Sequence, residues 1–348
     1  MMGKDVYYSF KLPKKAIAAF ITLIIMIIVI ESTWNVSDRL QRSIFGVSMG
    51  VTLEGVTIQR HLDHEIRNFI ESYAREKKFE AENARIDSIW KGIPGINGIE
   101  VDIEKTLNKA LSAKRNEDVQ FQYRQWEPEV QLKDLGAVPI YRGNSQKQAM
   151  ALMINVSWGT EWIENILEIL EENNVKVTFF VAGDWVEKNH EMLLRIYFAG
   201  HEIGSHAYTH RNMSTLDKRE LAWEMQKTDQ IIQKTLPHIT TRLFAPPSGD
   251  FNQQVVDVAH SLDKYTVLWT LDTIDWQRPA PSTIVNRIVP KAENGALVLM
   301  HPTEPTVEAL KTMIPKLSEK GYKLLTVSEL LSSQRNDIAI QSDTIGFP

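Results

Sequence analysis

The 348-residue chain contains no cysteine. A disulfide framework, a thiolate metal site and a cysteine nucleophile are therefore excluded. Positive charge is not in excess: 39 Lys and Arg face 44 Asp and Glu, a formal net charge of -5. The basic footprint of a nucleic-acid-binding protein is missing, and no nucleic-acid partner is expected. No glycine-rich phosphate loop follows the first strand of the C-terminal half, which disfavours a nucleotide fold. Long apolar runs are scarce too; the clear one is Ala16 to Ile30, broken only by Thr22. Otherwise the composition is that of a globular protein, 43% hydrophobic and 24% charged. The nine tryptophans serve as core material or as the flat faces that carbohydrate sites use.

Lys4, Lys11, Lys14 and Lys15 precede the apolar run. It is shorter than the roughly 20 residues that span a bilayer comfortably, and snorkelling of Lys14 and Lys15 makes up the difference. A cleaved signal peptide has an apolar core of similar length, but no small-x-small cleavage site follows Val29-Ile30-Glu31-Ser32-Thr33-Trp34. The expectation is a cytoplasmic leader and signal-anchor helix over residues 1–38, with the helix at about 16–33. The lysines place the N-terminus inside and the rest of the chain outside the membrane, as a single-pass protein.

Residues 40–135 read as a small α+β unit. Leu62, Ile66, Phe69, Ile70 and Tyr73 recur at helical spacing among charged partners. Ala84 to Trp90 and the set Val119, Phe121, Tyr123 alternate as strands do, and Asp102 reads as the N-cap of a second helix. The order "GV…LEG…ARID…GIPG…GIEVDIEKT" loosely resembles peptidoglycan-binding modules found beside membrane anchors in Gram-positive bacteria; a spacer without a ligand is the alternative. His61 and His64 lie one turn apart and are better explained as solvated helix residues than as metal ligands. Residues 136–148 look like a linker, and 333–348 like a polar tail.

From residue 149 to 332 the pattern is regular. Apolar segments at 151–156, 176–182, 202–205, 242–245, 266–270, 296–300 and 323–325 alternate with helical spacing at 161–173, 187–199, 216–235, 252–262, 282–291 and 305–319. Strands alternating with helices imply an α/β fold with a covered parallel sheet. Seven strands over this length fit a small or incomplete (β/α) barrel, in which the chemistry sits at the carboxyl ends of the strands.

Three of those ends carry notable polar residues. The segment 202–205 runs into His206-Ala207-Tyr208-Thr209-His210, whose two imidazoles, four apart, would lie on one side of a helical turn and could reach one cation. The segment 266–270 runs into Leu271-Asp272-Thr273-Ile274-Asp275-Trp276, and 296–300 into His301-Pro302. A carboxylate orienting an imidazole is a general acid/base arrangement; the bland alternative is that Asp272 and Asp275 cap a loop and His301 is a rim residue.

"GHEIGSHAYTH", "LDTIDW", "LVLMH" and "VKVTFFVAGDWVE" together resemble the motifs of the polysaccharide deacetylase family (NodB homology domain, carbohydrate esterase family 4), in particular a branch from endospore-forming bacteria. The resemblance implies metal-assisted hydrolysis of N-acetyl groups on amino sugars, with a divalent metal, zinc by preference, and cell-wall polysaccharide or peptidoglycan as partner. It implies His206 and His210 as metal ligands and His301 as general acid. Asp275 would tune that histidine, Trp276 would line the pocket, and Leu299 would receive the acetyl methyl.

Two family motifs are not matched. Where the family reads Thr-Phe-Asp-Asp-Gly, with base and metal ligand, this chain reads Asn155-Val156-Ser157-Trp158-Gly159. Ungapped, Ser157 and Trp158 replace the aspartates; aligned on the strand, Asn155 takes the position of the base. Trp cannot ligate a metal, and neutral Asn is a poor proton acceptor. Where the family reads Arg-x-Pro-[Tyr/Phe]-Gly, this chain reads Ala245-Pro246-Pro247-Ser248-Gly249. Losing carboxylate and guanidinium together leaves a neutral site and avoids an uncompensated buried charge. Glu161, Asp272 and Asp184 lie at strand ends as candidate replacement carboxylates; Glu161 is the best placed, as base or third ligand, its alternative being an acid favoured by the helix dipole. Three functions remain open: an active N-deacetylase, a degenerate homologue that binds glycan in the same cleft, and a membrane-tethered wall-binding scaffold.

Overall fold

The computed structural model describes residues 14–335. The leader residues before Lys14 and the tail residues 336–348 lie outside the described residues. The described chain separates into two compact units.

The first unit holds residues 14–78 and 100–124. Helix α1 (Lys14–Phe45) contains, among the described residues, a stretch long and apolar enough to cross a membrane: Phe20–Phe45, 26 residues that include an unburied 18-residue segment of mean hydropathy 1.8. Helices α2 (Asp63–Glu76) and α3 (Ile103–Ser112) pack their apolar faces on a shared core. Ile66, Phe69, Ile70 and Tyr73 meet Leu107, Ala110, Val119 and Phe121 there. Asp102 caps α3 as expected, accepting from the Lys105 amide at 2.9 Å.

The second unit holds residues 79–99 and 125–335. Its frame is an eight-stranded parallel sheet: β1 (Ala149–Val156), β2 (Thr178–Val181), β3 (Glu202–Ser205), β4 (Leu243–Phe244), β5 (Tyr265–Thr266), β6 (Leu271–Asp272), β7 (Leu297–Met300) and β8 (Lys323–Leu325). The spatial order is β5-β4-β3-β2-β1-β7-β6, with β8 on β1. Helices α4 (Thr160–Glu172), α5 (Gly183–Lys188), α6 (His190–Phe198), α7 (Lys218–Thr235), α8 (Gln253–Ser261), α9 (Pro281–Ile288), α10 (Glu304–Glu319) and α11 (Val327–Leu331) connect and cover the strands. This is the expected incomplete (β/α) barrel. Strand β1 is buried along its whole length, as a strand covered on both faces must be. Ile163, Ile166, Leu167, Ile169 and Leu170 of α4 are buried. At about 1.5–3 kcal/mol for each such side chain, that face outweighs propensity differences of about 0.7 kcal/mol or less per residue.

The barrel is left open between β5 and β6, and the sequence reading differs from the structure there. One strand is expected over 266–270, but the ladder stops at Thr266 and restarts at Leu271. Between them the Val267 amide bonds Phe244 O at 2.8 Å, the Leu268 amide bonds Ile140 O at 2.7 Å, and the Thr270 amide bonds Leu297 O at 2.9 Å. Three partners on three segments pull the backbone across the gap. The residues expected as a linker supply part of the closure. Ile140 is fully buried and bridges Val267, Arg142 bridges Ala296, and Lys147, also fully buried, donates to Glu329 O at 2.9 Å. The segments 79–99 and 125–135, read as part of the α+β unit, fold with the barrel instead. Asn144 donates to Pro94 O at 3.0 Å, and the Gly92 amide to Pro139 O at 3.0 Å. Arg335, expected in the polar tail, is buried and donates to Asn97 O at 2.7 Å.

Candidate functional site

The period of two along β1 puts Asn155 on the interior face with Met153, which belongs to the core inside the sheet. Asn155 is the last interior residue before the strand mouth. It is 4% exposed, and its Oδ1 has no hydrogen-bond partner. Four residues on, the chain turns sharply at Gly159 (φ +78°), where a Cβ would fall 2.1 Å from Pro302 O. That close approach brings Trp158 beside His301; their rings are parallel within 7°, with centroids 5.9 Å apart.

His206 and His210 leave β3 in an irregular loop, not the helical turn expected from their spacing. Ala207 (φ 59°) and His210 (φ 57°) occupy the left-handed region. A buried carboxylate holds this conformation. Glu224 of α7, 1% exposed, accepts from the amides of Tyr208 and Thr209, each at 2.8 Å, and from the Thr209 hydroxyl. The two imidazoles nevertheless meet, edge to face with centroids 5.0 Å apart. His206 Nδ1 lies 2.7 Å from Ala245 O. A carbonyl can only accept, so Nδ1 carries the proton and Nε2 keeps its lone pair. Burial, followed by the neighbouring His210, pushes the His206 pKa down to about 3. Burial also lowers that of His210.

Asp275 and His301, 26 positions apart, form a built pair. The fully buried Asp275 takes the His301 amide at 2.6 Å on Oδ2 and His301 Nδ1 at 2.8 Å on Oδ1. The Thr306 hydroxyl donates to Oδ2 at 2.6 Å. A carboxylate held by three donors fixes the imidazole and its tautomer, which turns His301 Nε2 toward a ligand.

These groups line one cavity of about 460 Å³ with Asp272, Leu299, Trp276, Ser248, Gly249 and Trp269. Of the residues singled out from the sequence, Asn155, Trp158, His206, His210, Asp272, Trp276, Leu299 and His301 line it, and Asp275 stands behind His301. Asp272 also accepts from the Ile274 amide at 2.8 Å, the loop-capping role given as its alternative. Ser157, Glu161 and Pro247 are not among the lining residues: Ser157 is half-buried, Pro247 is buried, and Glu161 is exposed on the first turn of α4. The sequence reading missed Ser248, Gly249 and Trp269. Gly249 takes φ +65° against the Trp269 ring, and the Pro-Pro-Ser-Gly turn was the available signal.

Among the described residues no group of three His, Asp or Glu could hold a metal ion. Beside the two imidazoles stands only the neutral Asn155 oxygen, and the lining carboxylate, Asp272, does not join them in a cluster of three, the usual protein ligand count of a catalytic zinc. The donor set does not fit a family-type metal.

The Polysaccharide deacetylase family model matches residues 142–267. The wild-type CE4 family pseudoenzyme BA3943 of Bacillus anthracis superposes with a TM-score of 0.72 at 43% identity, covering 77% of this chain and 95% of that one. The chain belongs to the polysaccharide deacetylase family. A BA3943 mutant with restored enzymatic activity matches equally well, with a TM-score of 0.71 at 42% identity over 77% of this chain and 98% of that one. The uncharacterized protein YlxY of Bacillus subtilis (strain 168) is 44% identical over 262 residues, 75% of this chain and 82% of that one. A peptidoglycan-N-acetylglucosamine deacetylase of Bacillus cereus is 29% identical over 200 residues, 56% of this chain and 72% of that one. The Bacillus relatives agree with the likeness to a branch from endospore formers.

Proposed function

We propose that this polysaccharide deacetylase family member binds cell-wall glycan in the strand-mouth cavity and has lost the turnover typical of its family. The observation that carries this reading is the buried, neutral Asn155 with an unpartnered Oδ1, beside an indole at position 158. A neutral amide accepts a hydrogen bond from a sugar N–H or O–H but does not take up its proton. Without a base, general-base catalysis loses about 10²- to 10⁴-fold. The exposed faces of Trp158 (40%) and Trp276 (54%) suit the apolar face of a pyranose ring. The relatives agree in kind: one is named a pseudoenzyme and another a peptidoglycan-N-acetylglucosamine deacetylase. In this reading α1 is an uncleaved single-pass anchor that leaves the barrel on the wall side, and the first unit carries a surface for peptidoglycan.

The intact Asp275–His301 pair favours a second reading, N-deacetylation of the same glycan with His301 as general acid. Titrating the full chain with N-acetylglucosamine oligomers separates the two. Saturable quenching of tryptophan fluorescence without acetate release, with or without added zinc or cobalt, is expected. Acetate release abolished by His301→Ala would establish the second reading in place of the first.

A further inference from the structure

The apolar run of α1 ends at Ile30, and the next helical turn enters a second cavity, of about 520 Å³, lined by Ile30, Glu31, Trp34, Asn35 and Arg115. Arg115 comes from the loop after α3. Its guanidinium carbon lies over the Trp34 ring, 3.9 Å from the centroid, and its Nε is buried without a hydrogen-bond partner. Glu31 is exposed on the helix surface. Although both line the cavity, no ion pair joins Arg115 to Glu31 or to any other described residue. Two unpaired opposite charges therefore stand apart around one space, with Ile30 and Trp34 as its apolar wall.

The cavity's depth follows from α1. Residues Phe20 to Ile30 are exposed apolar surface, and the folded part of the unit grips the helix just beyond them. Arg42 Nη2 donates to Ala113 O at 2.9 Å, and Asp38 accepts from the Met49 amide at 2.6 Å. This grip holds Arg115 one turn outside the apolar run, at the depth where tryptophan rings and lipid headgroups meet. We infer that the cavity holds the headgroup of an aminophospholipid, its phosphate on Arg115 and its ammonium on Glu31. The inference rests on the reading of α1 as a membrane anchor. An anionic headgroup without an amine would leave Glu31 facing a phosphate, and a quaternary amine has no N–H to donate to its carboxylate, whereas a headgroup with a phosphate and a primary ammonium satisfies both residues.

The test uses the full chain in phosphatidylcholine nanodiscs containing equal phosphatidylethanolamine and phosphatidylglycerol, with native mass spectrometry of the lipid retained after annular lipid is stripped. Phosphatidylethanolamine should be enriched over both others. Arg115→Gln should cut that enrichment about fivefold, the worth of one charge near a membrane surface. Glu31→Gln, a change at an exposed position that leaves the fold intact, should shift retention toward phosphatidylglycerol. Retention in bulk proportion, a preference for phosphatidylglycerol in the unchanged chain, or enrichment indifferent to both substitutions would overturn the site. An alkaline wash distinguishes the two failures: release of the chain from native membranes defeats the anchor and the site together, and retention without headgroup preference defeats the site alone.

Discussion

His206 is a buried base whose protonation the fold resists, and this makes stability depend on acid in a calculable way. Its pKa is pushed from 6.5 down to about 3, chiefly by burial and next by His210. Above the unfolded value both states are neutral, and the group contributes no pH dependence. Below it the unfolded chain takes up a proton that the folded chain refuses, so stability falls as pH drops and continues falling until the folded value is reached. At pH 5 the penalty from this residue is about 2 kcal/mol, on the order of a fifth of a typical domain's stability. His206→Asn keeps a donor toward Ala245 O and removes the titration. Urea unfolding followed by tryptophan fluorescence at pH 7 and pH 5 is the assay. The stability lost between the two pH values should be smaller in the variant by about 2 kcal/mol. Because His201 is also depressed, to about 4, by burial first and Lys176 second, the unchanged chain carries other acid-sensitive groups, and only the difference between the proteins isolates His206. An acid dependence equal in both would refute the burial argument.

Three further outcomes are expected. Asp275→Asn puts an amide where three donors converge, at a cost of about 1–3 kcal/mol in urea unfolding; a midpoint unchanged from the parent would mean the carboxylate is not held as described. Glu224→Ala strands the Tyr208 and Thr209 amides and should cost on the order of 3 kcal/mol, with shifted imidazole resonances of His206 and His210 by NMR; unshifted resonances would remove Glu224 from its positioning role. Trp158→Ala should weaken N-acetylglucosamine oligomer binding about fivefold in fluorescence titration, while Glu161→Gln, away from the cavity lining, should leave it unaltered.

The order of elements in the barrel was legible because strand and helix periods differ and apolar residues follow them. Helices expected over 161–173 and 305–319 appear as Thr160–Glu172 and Glu304–Glu319. The gap between β5 and β6 was not legible. Val267 and Leu268 are as apolar as any strand residues, and whether their amides join a ladder depends on where Ile140 and Phe244 lie. The same holds for 136–148: a Pro, two Gly and an Asn read as a linker, yet Ile140 and Lys147 are buried by partners more than 100 residues away.

At the site, the sequence alone determined the chemistry available: two histidines at one strand end, an Asp and a His at two others, and no carboxylate at the end of β1. Side-chain identity sets ionisation and donor capacity before folding, so the missing base and metal ligand were visible as Asn155, Ser157 and Trp158. Tertiary structure decided which of these groups meet. It stacked Trp158 on His301 by closing Gly159 onto Pro302, left Glu161 in solvent, and brought Arg115 over Trp34. Those outcomes depend on distances between residues far apart in the chain, which local periodicity does not encode.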